Sequence, residues 1–391
     1  MYRRSFLVGA GTVALGQLLA GCGGQNQPAL SVRLLKGSVP SLVLSKFRKQ
    51  LGQPAALDFK AEPQLKDLFA QLQAMHRQPK AGALPKSSWP FQIPWTAAAS
   101  TGIPDLVTLG DYWLAKAIEQ KLIQPLTPAQ LPGWERLPSR WQMLVRRNDS
   151  GQIDKNGQVW AAPYRWGTVM IAYRRDKFKS AGLQPPQDWD DLWRPELARL
   201  ISLPDQPREV IGLTLKKLGK SYNTTELDKV PELKKELLSL HRQVKLYSSD
   251  AYLQPLILGD TWLAVGWSSD LLPVLPQEPT IAVAVPQSGT SLWADLWVAP
   301  NRAGESSTGA LPHKWIEFCW EEKIAALLSL QSFAASPVFA GTTAAELPKQ
   351  LQKNELLVPD AKILDKSEFL HNLPDAAVEQ YRSLWREIRL S

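Results

Sequence analysis

Cysteine, histidine and methionine are scarce in this 391-residue chain: two, four and four respectively. Cys22 lies in an apolar leader and Cys319 in a helical pattern near the C-terminus, so a disulfide framework has no sequence support. The helical spacing of Trp315-Ile316-Glu317-Phe318-Cys319-Trp320 reads Cys319 as a small core residue and not as a nucleophile. His76, His241, His313 and His371 form no HxxxH pair and have no cysteine partners at zinc spacing, which removes the case for a metal site. GxSxG, Walker and GxGxxG motifs are absent; the nearest look-alike, Gly266-Trp267-Ser268-Ser269, lacks the flanking glycine of a nucleophile elbow. No cofactor is expected. Like charges never run to five in a row, and a formal charge of +8 spread over so long a chain is no footprint for nucleic acid.

Long apolar runs are missing too. The stretch from Phe6 to Ala20 is too short for a permanent membrane span. It follows Tyr2-Arg3-Arg4-Ser5 and ends at Leu19-Ala20-Gly21-Cys22, the layout of a lipoprotein export signal. Small residues at 20 and 21 admit a peptidase, and the Cys22 thiol can carry diacylglycerol before it becomes the new N-terminus. Arg3-Arg4 with Phe6-Leu7 fits a Tat signal, and ordinary Sec signals open with the same charges, so both routes stay open. The alternative is a buried apolar N-terminal helix. The expectation is a signal peptide over 1–22, a tether over 23–30, and a periplasmic protein tied to its membrane by lipid.

With 44% hydrophobic residues the chain has enough apolar material for two domains with cores of their own. Apolar runs alternate with helical patterns, as in an α/β protein. Ser31 to Leu35 and Asp105 to Leu109 read as strands, and Leu65, Leu68, Phe69 and Leu72 as one face of a helix. Gly110, Asp111 and Tyr112 follow a strand end, where ligands sit in open α/β sheets. Asp188 and Asp191 have capping-box spacing, and a helix from about Arg208 stops at Gly219. Residues 262–267 and 280–285 are further strands; Ile316, Trp320, Ile324, Leu327 and Leu328 mark one long helix. Between His76 and Gly102, four prolines interleave with Trp89, Phe91 and Trp95, which reads as an ordered surface loop or a docking element.

Sixteen tryptophans are many, and Trp166, Trp267, Trp293 and Trp297 stand near strand ends. Strand alternation puts Trp293, Asp295 and Trp297 on one face. An aromatic wall beside a carboxylate suits an organic ammonium ion, whose methylenes lie on the rings while the carboxylate takes its N–H bonds. A core tryptophan pair with a capping aspartate is the competing reading.

The segments Asp188 to Pro195, Arg208-Glu209-Val210, Lys217-Leu218-Gly219 and Asn223-Thr224-Thr225 resemble the second lobe of the spermidine/putrescine-binding proteins of bacterial ABC importers. Ala162 to Thr168 resembles that family's approach to its interlobe crossing, and Pro286 to Gly289 with Trp293-Ala294-Asp295 its return. The resemblance implies a two-lobed α/β periplasmic-binding-protein fold with a hinge, crossings near Tyr173, Trp293 and Ala340, and a binding role without chemistry. Lobe 1 would be 31–173 plus 293–340, and lobe 2 would be 174–292 plus 341–391. It further implies that Trp267 and Trp293 are aromatic walls, Tyr112 the first-lobe tyrosine, and Asp295 and Glu209 the amine-gripping carboxylates. Glu209 can equally be a first-turn acid at a helix N-terminus. Gly110, Asp111, Trp166, Gln206 and Lys36 are further candidates. Where the family has Asn-Trp-Thr-Glu-Tyr, this chain has Leu34-Leu35-Lys36-Gly37-Ser38, losing two aromatics and gaining a cation; Gln206 stands where an acid is expected. The partners implied are a small-molecule amine and a membrane permease, with the protein a monomer. Two other readings are a lipoprotein that docks a partner through Trp89 to Trp95, and a hydrolase using Asp295 and Glu209 as acid and base.

Overall fold

The computed structural model describes residues 29–77, 102–302, 309–343 and, apart from 353 and 355, 345–391. The leader with Cys22 and most of the proline–tryptophan segment lie outside the described residues. Nine strands matter for the site: β1 (Leu30–Leu35), β2 (Leu57–Glu62), β3 (Leu106–Gly110), β4 (Ala162–Arg174), β5 (Ile201–Leu203), β6 (Val244–Tyr247), β7 (Leu263–Trp267), β8 (Ile281–Ala284) and β9 (Ser291–Pro300). They lie in the order β2-β1-β3-β9-β4-β7-β5-β6, with β8 also on β4. This is the mixed α/β architecture expected, and β4 joins its two halves. The first part of β4 pairs antiparallel with β9, while Val169 to Arg174 pair with β7 and β8.

Alternation along β4 divides its side chains between two apolar cores. Met170 and Ala172 pack in the first, and Val169, Ile171 and Tyr173 in the second. The first core gathers β1, β3, β9 and the tryptophans Trp134, Trp141, Trp297, Trp315 and Trp320; the second gathers Trp189, Leu203, Ile211, Tyr222 and Leu237. The C-terminal stretch is shared. Leu347, Leu351, Leu357, Leu364 and Phe369 pack in the first core, where the expected lobe boundary puts all of 341–391 with the second half; Leu370, Leu373 and the last helix, through Tyr381 and Ile388, pack on the second.

Local expectations fare well where side chains dictate the backbone. Leu68, Phe69 and Leu72 are the buried residues of the helix Leu65–Arg77. Asp188 and Asp191 form the reciprocal capping box, here on a 3-10 turn, and the helix Pro207–Lys217 stops before Gly219 at φ +69°. The long helix expected around Trp320 is two helices, Ala310–Trp320 and Glu322–Ser332, parted by an extended Glu321. The break keeps both apolar faces on one core: Trp315, Phe318 and Cys319 from the first helix, Ile324, Ala325 and Leu328 from the second.

Candidate functional site

Four strands place the central side chains on one face of the sheet, with Trp293 and Asp295 on β9. On β4, Gly167 lies opposite Trp293 and Arg165 opposite Asp295; on β3, Gly110 lies opposite Asp295; on β7, Trp267 lies opposite Val169. Directly opposed residues share a face, so Trp293, Asp295 and Trp267 rise beside one another. Gly167 makes room for the indole of Trp293. A Cβ there would come within 2.6 Å of Trp293 Cζ2 and 2.2 Å of Ser268 Oγ. Gly167→Ala is therefore expected to push Trp293 out of position and destabilise the chain by about 1–3 kcal/mol. Urea unfolding with a tryptophan emission spectrum checks it, and an unchanged spectrum and midpoint would refute it.

The register between β9 and β4 shifts past Asp295, leaving Tyr164 as an extra residue of β4. Such a bulge aims two neighbouring side chains at the same partner strand. Tyr164 stacks on Trp297, ring centroids 4.2 Å apart, with its hydroxyl 3.2 Å from Thr108 Oγ1. Arg165 Nε donates to Asp295 Oδ2 at 2.6 Å, its Nη1 donates to the Ser332 carbonyl at 3.4 Å, and its guanidinium carbon lies 5.5 Å from the centre of the Trp293 ring. Arg165 is 5% exposed and Asp295 1%. Burial raises the Asp295 pKa above the usual carboxylate range, and Arg165 pulls against it.

Glu209 is differently placed. It sits in the first turn of the helix Pro207–Lys217, 7% exposed, and its hydrogen bond among the described residues comes from Ser291 Oγ at 2.6 Å. Burial pushes its pKa up to about 7 against the pull of that bond and of Arg208. The Arg208 guanidinium itself donates to the carbonyls of His371 and Tyr222 and to Asn223 Oδ1. Asp111 accepts the Ala294 N–H at 3.0 Å; burial, reinforced by Asp295 and opposed by Arg147, raises it to about 7. Tyr112 is 56% exposed, edge-on to Trp113, and lies near the Arg208 guanidinium. It belongs to the helix Asp111–Glu119 on the first core, and Arg208 to a helix of the second. Tyr252 lies edge-on to Trp267 at 5.9 Å and donates to Asp270 Oδ2 at 2.8 Å.

The structure thus gathers Gly110, Asp111, Trp267, Trp293 and Asp295 on or beside one sheet face, with Glu209 and Tyr112 reaching in from helix starts. Three candidates stand apart. Trp166 is fully buried, donates to the Ser336 carbonyl and packs edge-on against Trp141, which corrects the expectation that it lines the site. Lys36 is exposed beyond the end of β1, and exposed Gln206 donates to Ser249 Oγ at 3.1 Å. A cavity of about 400 Å³ opens between the halves, lined among others by Arg140 and Leu144 from one side, Ser221 and Asn223 from the other, and His371. A larger one, about 750 Å³, lies at Phe47, His313 and Glu317, away from all the candidates. Among the described residues no three His, Cys, Asp or Glu side chains are grouped to hold a metal, and no helix is long and apolar enough to cross a membrane.

Sequence reasoning missed Arg165 and Ser291 as partners of the two carboxylates, and Gly167 as the seat of Trp293. A cation inside an otherwise apolar strand was the available signal, since a buried charge needs a partner. Serine and glycine gave none.

The family described as bacterial extracellular solute-binding protein matches residues 101–367. The chain is 26% identical over 286 residues to spermidine/putrescine-binding periplasmic protein 1 of Haemophilus influenzae, covering 73% of this chain and 74% of that one. It is 26% identical over 307 residues to the putrescine-binding periplasmic protein PotF of Escherichia coli, covering 75% and 80%. Among solved structures, the spermidine/putrescine ABC transporter substrate-binding protein PotD of Streptococcus pneumoniae superposes with a TM-score of 0.74 at 19% identity, over 92% of this chain and 98% of that one. UgpB of Mycobacterium tuberculosis, in complex with glycerophosphocholine, gives 0.66 at 14% identity over 92% and 96%. At these identities the structures are alike in fold alone.

Proposed function

The chain belongs to the bacterial extracellular solute-binding proteins, and from that premise we propose that it captures an organic amine, of the class that includes spermidine and putrescine, and delivers it to the permease of an ABC importer. Membership and fold point to binding and transport in place of catalysis. The observation that carries the amine reading is Glu209, a buried carboxylate whose hydrogen-bond partner among the described residues is a single hydroxyl. Such a group gains most from an incoming cation. Tyr112, Trp267 and Trp293 supply aromatic faces for the methylenes. In this reading the two cores belong to two lobes that close on the amine, the hinge passing through β4 and β9. The Cys22 leader supports a lipid anchor on the periplasmic side of a bacterial membrane, and the protein works as a monomer.

A thermal-shift screen of the lipid-free protein from Gly23 onward, against amines, amino acids, sugars and small anions, tests this. A ligand of the folded state raises the melting temperature with its saturation. The expected result is a shift with amines alone; a shift confined to anions or sugars would overturn the reading.

A further inference from the structure

An ammonium ion bound on this sheet face would need a carboxylate, an aromatic surface and a spare carbonyl. Asp295 Oδ2, the Trp293 ring and the Ser332 carbonyl are all three already engaged by Arg165, at 2.6, 5.5 and 3.4 Å. The pair is nearly closed to solvent, with the Arg165 side chain 6% and the Asp295 side chain 2% exposed. Glu209 has no such occupant. Its neighbour Arg208 is turned to two carbonyls and Asn223, and only Ser291 reaches it among the described residues.

We infer that Arg165 is a tethered cation that fills the Asp295–Trp293 subsite from within the chain, so that the site takes an amine by a single cationic end, at Glu209. The inference rests on the amine reading above and narrows it: a diamine would be held by one end at Glu209, because the Asp295 carboxylate beside the Trp293 wall is already paired with Arg165. The physical ground is a competition between two cations for one buried carboxylate. An arginine stays charged at any working pH and is attached two positions from Gly167, so its local concentration is fixed by the backbone. An incoming ammonium must displace it and leave a guanidinium without its partner in a desolvated place, a large cost for an exchange of one ion pair for another.

The test compares butylamine and putrescine by calorimetry on the wild type, Arg165→Met and Arg165→Met with Asp295→Asn. Methionine keeps apolar cover on Trp293 without the charge. Wild type is expected to bind the two amines alike, Arg165→Met to favour putrescine by roughly tenfold or more, and the double variant to lose that preference. An unchanged ratio in Arg165→Met overturns the inference. A second arm does not depend on amine capture: the melting temperature of Arg165→Ala, or of Arg165→Met if the alanine variant does not fold, is followed with added methylguanidine. Saturable rescue that vanishes when Asp295→Asn is added is expected. Should no protein bind any amine, the amine reading fails by itself. Rescue then keeps the tethered cation, and its absence overturns it.

Discussion

Glu209→Gln and Asp295→Asn should move the protein in opposite directions. In Glu209→Gln the amide keeps a bond with Ser291 and sheds a charge that burial disfavours, so the ligand-free protein should melt slightly higher above pH 7, by on the order of 1 kcal/mol. Amine affinity should fall by about 3 kcal/mol or more, because the ammonium is left desolvated without a counter-charge. Asp295→Asn removes the partner of Arg165, which is buried at 5% exposure with its Nε on that carboxylate. An orphaned buried guanidinium costs about 3–5 kcal/mol, so this variant should be the less stable of the two by a wide margin. Paired melting curves and amine titrations separate the cases. A destabilised Glu209→Gln that keeps wild-type affinity would sink the role given to Glu209, and an Asp295→Asn as stable as wild type would sink the buried pair.

The same two carboxylates mark how far the sequence could be read. Their location was legible, because strand alternation puts Asp295 with Trp293 and helix capping puts Glu209 in a first turn. Elements with strong local determinants were legible for the same reason, as in the capping box at Asp188 and the apolar face of Leu65–Arg77. What the carboxylates do depends on partners far away in sequence. The Arg165–Asp295 contact spans 130 positions and the Ser291–Glu209 contact 82, and each is set by strand register or docking that no local pattern encodes. Trp166 failed for a related reason. Its position near a strand crossing suggested a binding wall, but the hydrogen bond to Ser336 and the packing on Trp141 come from segments that only the fold brings to it. The split at Glu321 was invisible because apolar spacing continues through it, and a periodic pattern reports which face is buried, not whether the axis bends.

Protons supply the second large effect. Glu209 and Asp111 each titrate near 7 in the fold, raised by burial from the ordinary carboxylate range. Between that range and about 7 the native chain holds protons that the unfolded chain has released, so stability falls as pH rises through this window and levels off above it. For Glu209 the whole effect is about 3 kcal/mol, at 1.36 kcal/mol per pKa unit. His241, His313 and His371 oppose it: burial lowers each of them, so the unfolded chain binds more protons there and stability from those groups rises with pH. Subtracting the melting profile of Glu209→Gln from that of wild type, pH 5 to 8, cancels the histidines and isolates the carboxylate. The difference should run downward with pH toward about 7. Amine binding should run the other way, tightening over the same interval as Glu209 gives up its proton to the solvent and takes the ammonium in its place. Calorimetry at pH 6 in buffers of different ionisation enthalpy should therefore register proton release in wild type, and less of it in Glu209→Gln. Equal proton release in the two proteins, or a difference profile that is flat, would remove Glu209 from the site.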